Sequence, residues 1–292
     1  MLEKFLIGHK NNDSTGVSVI IAPEGAVAGV SVRGCAPGTR ETDLLRADAT
    51  VDKINAVVLT GGSAFGLESS CGVMKYLREK GIGYNTGTQT VPIVCSAVLY
   101  DLDYKEFSYP DSEMGYEAAK AAKPDNTESG DIGAGTGATV GKIMGMMTAV
   151  KGGLGISRAK FENLEIMAIA AVNAFGDVYD YKSGEIIAGA KSEEGYINTS
   201  EMILQGMEIE PSAKNTTLGC ILTNAILTKA EANKLCDRVH DALALTIRPV
   251  HTMVDGDTVF AMASGEVEAN FIQLSEASVK LMAEAIMNSV TK

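Results

Sequence analysis

The sequence predicts a layered domain in which α-helices and β-strands are mixed. Three observations carry this expectation. Short apolar runs of strand character alternate with amphipathic helical stretches along the whole chain. Turn signals place several of the strands next to one another as hairpins. The 292 residues include 31 glycines, no tryptophan and few other aromatics, a composition suited to close packing and tight turns.

The elements follow in order. Residues 16–22 read as a strand, Pro23 to Gly25 as a turn, and residues 26–33 as the returning strand. A loop over 34–40 leads to a short helical stretch at 42–45, with Thr42 as a candidate N-cap. Residues 54–60 are a strand of the buried type. A helix follows over 67–80, apolar at Leu67, Cys71, Met74 and Leu77 and stopped by Gly81. Residues 91–99 form another apolar strand, and the polar stretch 101–131 contains a helix over 113–122. A glycine-dense run spans 130–141, and an apolar stretch 143–150 comes after it. Residues 164–175 are a strand. Residues 191–214 are the longest polar connection, with a helical turn at 201–206. A buried strand over 218–222 precedes an amphipathic helix over 229–244, whose apolar side carries Ala232, Leu235, Val239 and Leu243. A turn at 255–257, a strand at 259–263 and a helix over 270–290 complete the chain, without repeats or a low-complexity linker.

Charge narrows the function classes. With 25 basic and 37 acidic residues the net charge is −12, which excludes a general nucleic-acid binder and a protein that docks on anionic lipid. A negative field instead favours a small substrate bearing an amine. No run reaches about 18 apolar residues, so no membrane span is expected. The first ten residues lack a basic segment followed by a long apolar one, so no secretory signal is expected either. The five cysteines, Cys35, Cys71, Cys95, Cys220 and Cys236, are odd in number and scattered, which reads as free thiols in a reducing cytoplasm. The three histidines, His9, His240 and His251, form no close cluster with them, so no zinc or other metal site is expected.

Four segments are candidate sites. Gly61-Gly62-Ser63-Ala64-Phe65 lies between a strand and a helix. A hydrolase nucleophile elbow needs glycine where Phe65 stands, so a glycine turn feeding a helix is the simpler reading. The run from Gly133 to Lys142 partly matches dinucleotide and phosphate-loop spacings. It follows a polar loop, however, and Thr136 and Ile143 stand where a phosphate loop needs glycine and a hydroxyl. It reads as a turn that brings Lys142 near something, or as a turn with a solvated lysine. Asp255-Gly256-Asp257 fails as a calcium loop because Val259 and Phe260 fill the next ligand places, and by itself it is a β-turn. Asn215-Thr216-Thr217 joins a polar loop to a buried strand. Threonine at a strand start expresses β-propensity. As a nucleophile it needs a base, and its own α-amino group would serve if the chain were cut before Thr216, since an α-amine titrates near 7.7–8.

Taken together these segments resemble one family. The residues from Gly29 to Leu44, the run from Leu59 to Leu67, residues 91–94, Asp101-Leu102, the glycines 133–137 with Lys142, and Ala171 to Ala174 fall in the order of the N-terminal-nucleophile aminopeptidases and amidohydrolases. Asn215 to Leu218, Thr223 to Ala225 and Asp255 to Ala261 continue the likeness. That family includes L-aminopeptidase/D-esterase, the β-aminopeptidases and the nylon-oligomer hydrolase. The resemblance implies an α+β fold, a four-layer αββα sandwich, as a single catalytic domain over 1–292. It implies self-cleavage between Asn215 and Thr216 into parts 1–215 and 216–292. Thr216 would be the nucleophile, Asn173 the oxyanion-hole amide, Lys142 a site lysine, and Asp255 and Asp257 the acidic pair that orients the new terminus.

Tyr100 would line the substrate pocket, or be a packed strand-end residue; Asn173 would otherwise be an amide that merely ends its strand. The resemblance further implies a small peptide or amide substrate, no metal or organic cofactor, and a homotetramer. Cys35 replaces a usual glycine and Cys95 a common proline. Threonine stands where several members use serine, and the paired aspartates are more similar to the nylon-oligomer hydrolase branch than to the β-aminopeptidases with their Ser-x-Glu pattern. Two alternatives stay open from the sequence: a hydrolase built on Ser63, and a non-enzymatic small-molecule binding protein of the same fold. The choice among α-, β- and ω-amino amides is open as well.

Overall fold

The computed structural model describes residues 2–208 and 214–291. Its main strands are β1 (Leu6–Asn11), β2 (Gly16–Val32), β3 (Lys53–Thr60), β4 (Val94–Val98), β5 (Gly153–Phe161), β6 (Leu164–Asn173), β7 (Thr216–Ala225) and β8 (Thr258–Val267). The helices are α1 (Ser69–Glu79), α2 (Ser112–Lys120), α3 (Thr199–Leu204), α4 (Lys229–Thr246) and α5 (Phe271–Asn288). A hydrogen-bonded sheet runs in the order β5-β6-β7-β8-β2-β3-β4, with Thr39–Arg40 at the β4 edge and β1 on the first half of β2. The pairs β7·β8 and β3·β4 are parallel and are connected through α4 and α1.

Side chains alternate across these strands, and the alternation separates three cores. Ile166 and Ala168 of β6, Ile221 of β7 and Val259 of β8 pack under α4 and α5. Their neighbours Met167, Ile169, Leu218, Cys220 and Phe260 point the other way and meet Ile20, Val57 and Leu59 of β2 and β3. The opposite face of β2 and β3, with Val17, Val19 and Val58, packs on Val73 and Leu77 of α1 and Ala118 of α2. The layers are therefore α4/α5, β5–β8, β1–β4 and α1/α2, the four-layer α+β sandwich. No helix among the described residues is long and apolar enough to cross a membrane.

β2 joins the two β layers, and here the sequence reading needs correction. The chain does not turn back at Pro23 to Gly25. Residues 17–21 pair with β3, residues 27–32 pair with β8, and the register shifts between Ile21 and Ala26. Gly25, at φ +75°, accommodates the irregularity that carries one strand from layer to layer. Apolar alternation on both sides of a bend resembles a hairpin in sequence.

Other elements shift as well. Thr42 precedes a 3-10 turn (Asp43–Leu45) without capping it; its hydroxyl meets Thr39 Oγ1 at 3.4 Å. The predicted helix opens as a 3-10 turn (Ser63–Glu68), and α1 buries Ser69, Gly72, Val73 and Leu77 while Cys71 is exposed. Small residues set that face. A Cβ on Gly72 would lie 1.7 Å from the Ser112 carbonyl oxygen, and one on Gly115 would lie 1.9 Å from that of Ser69. β5 carries no clear strand signal in the sequence, because its second half is polar and half exposed. Residues 209–213 of the long polar connection lie outside the described residues.

Candidate active site

Strand direction gathers the candidate residues. β6 runs antiparallel to β7, so its last residue, Asn173, sits opposite the first of β7, Thr216. β8 runs parallel to β7, with Thr258 beside Leu218, so the residues just before each strand are neighbours too. Asn215 accordingly bridges to Asp255. A strand end, a strand start and a turn from distant parts of the sequence converge without any sequence-local motif.

At the centre lies the Asn215–Thr216 peptide. Thr216 Oγ1 is 2.5 Å from the carbonyl oxygen of Asn215. The Gly256 N–H donates to that same oxygen at 2.8 Å. Position 256 has no room for a side chain, since a Cβ would sit 2.6 Å from the Ala36 carbonyl oxygen and 2.7 Å from Thr216 Oγ1. The flanking aspartates are both buried. Asp255 Oδ2 accepts from the Thr252 hydroxyl at 2.6 Å and the Thr252 N–H at 2.8 Å. Asp257 Oδ1 accepts from the Thr217 N–H at 2.7 Å. Burial, and then the Asp257 charge beside it, raise Asp255 above the usual carboxylate range.

Asn173 and Lys142 form the other wall. Lys142, after the positive-φ Gly141, donates to the Asn173 side-chain oxygen at 2.8 Å and to its backbone carbonyl at 2.9 Å. Burial lowers Lys142 to about 7, against the opposing pull of Asp255, Asp101 and Asp103. The Asn173 Nδ2 donates to the carbonyls of Tyr100 at 2.8 Å and Lys214 at 3.3 Å. A cavity of about 440 Å³ opens here, and Tyr100, Lys142, Phe175, Lys214 and Asn215 are among its lining residues. The Tyr100 hydroxyl donates to Asp103 Oδ1 at 3.0 Å, and Asp103 Oδ2 takes Lys214 at 2.7 Å; that ammonium holds Asp103 below its ordinary value.

The structure thus brings together Thr216, Asn215, Asn173, Lys142, Asp255 and Asp257, with Tyr100 on the cavity wall. Ser63 stands apart: it is partly exposed at φ +51°, and its hydroxyl has no hydrogen-bond partner among the described residues. Sequence reasoning missed two groups. One is the Gly256 N–H, signalled by a glycine fixed between two aspartates. The other is Asp101 on the cavity wall, raised to about 6 by burial while accepting from Thr15 Oγ1 at 2.7 Å and the Gly62 N–H at 2.6 Å. Among the described residues no group of three or more His, Cys, Asp or Glu side chains is placed to hold a metal ion. Chemically, the arrangement sets a hydroxyl against a polarised peptide carbonyl, with amide donors and carboxylates around it.

Known proteins resemble this chain in sequence and fold. The model of peptidase family S58 matches residues 4–292. An uncharacterized aminopeptidase of Mycobacterium leprae is 39% identical over 267 residues, which is 87% of this chain and 72% of the relative. A 6-aminohexanoate-oligomer endohydrolase of Kocuria sp. is 30% identical over 266 residues, 89% of this chain and 72% of that one. Among solved structures, the L-aminopeptidase D-ala-esterase/amidase of Ochrobactrum anthropi, of the Ntn hydrolase fold, superposes with a TM-score of 0.71 at 15% identity over 98% of this chain and 83% of its own. The β-aminopeptidase of Burkholderia sp. gives 0.67 at 19% identity, with 98% and 83% covered.

Fold and relatives together define an amide-bond hydrolase of the Ntn fold. Within that class, the chain belongs to peptidase family S58.

Proposed function

We propose that this hydrolase processes itself between Asn215 and Thr216 and then uses Thr216 as an N-terminal nucleophile on small peptides or amides. One observation carries the reading: the Thr216 hydroxyl lies 2.5 Å from the Asn215 carbonyl oxygen, which the Gly256 N–H already holds. In the first step Oγ1 bonds to the Asn215 carbonyl carbon, and the Gly256 N–H takes the charge that develops on its oxygen. The C–N bond then breaks, the Thr216 nitrogen gains the hydroxyl proton, and an ester joins Asn215 to Oγ1. Water hydrolyses the ester to a carboxylate at Asn215 and a free amine at Thr216, leaving parts 1–215 and 216–292.

In the mature site that amine, with a reference pKa of ~7.7–8, accepts the hydroxyl proton as Thr216 attacks a substrate amide. Lys214 and Asn215 line the cavity in the unbroken chain, so the segment before the cut occupies the place a substrate acyl group would take. Its departure frees the Asn173 Nδ2 from the Lys214 carbonyl to act as an oxyanion donor, a contribution of ~3 kcal/mol to the barrier. Lys142 holds the Asn173 amide in that orientation. Asp255 and Asp257 favour the ammonium as it forms, and Tyr100 borders the substrate. Water releases the acyl group from Thr216. The reading calls for no metal or organic cofactor, and it includes the homotetramer that the family resemblance implies and the cytoplasmic location that scattered free thiols suggest.

The test is the Thr216→Ala protein. It stays a single chain and turns over no amide substrate, while Thr216→Ser still divides. A Thr216→Ala chain that splits at the same bond contradicts the reading.

A further inference from the structure

The two oxygens of Asp257 have different partners. Oδ1 holds the Thr217 N–H, and Oδ2 accepts two bonds from one residue, the His251 N–H at 3.1 Å and the His251 Nδ1 at 2.7 Å. This double grip accompanies a left-handed backbone at His251, φ +56°, which residues other than glycine adopt uncommonly. A carboxylate only accepts, so Nδ1 carries a proton. Nε2 is sealed from solvent and has no partner among the described residues, so the neutral Nδ1–H tautomer is the form that strands no N–H. The His240 ring meets the His251 ring edge-on, with centroids 4.8 Å apart at 71°. His240 donates from Nε2 to the Ser31 carbonyl at 3.0 Å, and burial lowers it to about 4. It is a neutral brace.

We propose that His251 is a positioning residue that fixes Asp257, and through Asp257 the Thr217 amide, so that the Thr216 terminus stays in place after the chain is cut. The inference rests on the Thr216 reading and deepens it. Before the cut, Thr216 is held from both sides. Afterwards its pairing with Asn173 and the adjoining Thr217–Asp257 bond are the tethers at the new chain end. An Asp257 carboxylate that loses the His251 ring is left with the backbone N–H groups of Thr217 and residue 251, and is less firmly fixed beside Asp255, whose charge it already opposes. The charged and titratable groups around this pair are Asp255, His240, Lys142 acting on Asp255, and Arg33 acting on His240.

Two variants separate a side-chain donor from mere filling of space. Asparagine tolerates a left-handed backbone and places an amide donor near the position of Nδ1, so H251N keeps the grip. Glycine tolerates the backbone and donates nothing from a side chain, so H251G loses it. In H251G, cleavage at Asn215–Thr216 and kcat fall about 10- to 100-fold with KM little changed, the scale of one hydrogen bond to a charged group. H251N stays near wild type. Equal losses in both variants, or a loss in H251G that falls on KM and not on kcat, overturn the proposal.

A measurement on the wild type covers the case in which H251G does not fold. Nitrogen-15 NMR of the imidazoles shows His251 as the neutral Nδ1–H tautomer near neutral pH; an Nε2–H tautomer overturns the proposal. The Thr216→Ala protein keeps the two questions apart. If it is cut, the nucleophile reading fails. If it stays whole while H251G behaves as wild type, only the role of His251 fails.

Discussion

The Gly256 N–H donates a 2.8 Å hydrogen bond to the carbonyl oxygen of Asn215, the residue before Thr216. Two features of Gly256 serve this contact: its amide aims at the oxygen, and its missing side chain leaves Thr216 Oγ1 its place. Gly256→Ala keeps the N–H, but its Cβ would sit 2.7 Å from Thr216 Oγ1 and 2.6 Å from the Ala36 carbonyl oxygen; it displaces the hydroxyl and pushes the donor off its oxygen, and self-cleavage slows by about 100-fold, the scale seen when an oxyanion donor is lost. A time course of fragment appearance on denaturing gels measures this. Cleavage at the wild-type rate would show that the added Cβ moves neither the hydroxyl nor the donor.

Ser63 offers a contrast, because its hydroxyl has no partner among the described residues and its backbone is left-handed. Ser63→Gly removes the hydroxyl and relieves the conformation. The variant divides and turns over substrate at the wild-type rate and is as stable or slightly more so. Loss of turnover in an otherwise whole, folded chain would favour the Ser63-based hydrolase instead.

Asp101 gives a pH signature. Burial raises its folded value from 3.8 to about 6, so the native state binds the extra proton between those values. Stability then falls as pH rises from about 4 to 6, by on the order of 2–3 kcal/mol. Asp101→Asn does not titrate. Its stability relative to wild type climbs by that amount over the same window in urea melts at fixed pH values. A difference that is flat with pH contradicts the burial argument.

The contact between α1 and α2 lies on the far side of the fold and makes a separate prediction. Gly72→Ala puts a Cβ onto the Ser112 carbonyl, and overpacking of this kind costs about 1–3 kcal/mol. Urea unfolding shows the loss, while the cleavage rate measured under folded conditions is unchanged. A slowed cut would mean that this helix layer reaches the site.

Much of the site was legible because its residues share one ordered pattern. Asn173 ends one strand, Thr216 begins another, and the aspartates at 255 and 257 stand just before a third; all three strands are plain apolar runs in the sequence. What tied them together was pairing between strands, which local spacing does not encode. The Gly256 amide and the His251 grip are backbone-dependent contacts, so residue types alone did not show them. The fold reading failed where one strand serves two layers. Residues 16–32 look like a hairpin, and only their partners, β3 on one half and β8 on the other, reveal a continuous strand. The α1 face was misjudged for a similar reason: glycine and serine are buried by a close helix neighbour, whereas periodicity favoured the larger Cys71 and Met74.

The most direct measurement is N-terminal sequencing of the purified, amide-hydrolysing protein. The account predicts two sequences in equal amounts, one from the start of the chain and one reading from Thr216 through Thr217, Leu218 and Gly219. A fully active preparation that yields only the first sequence contradicts it.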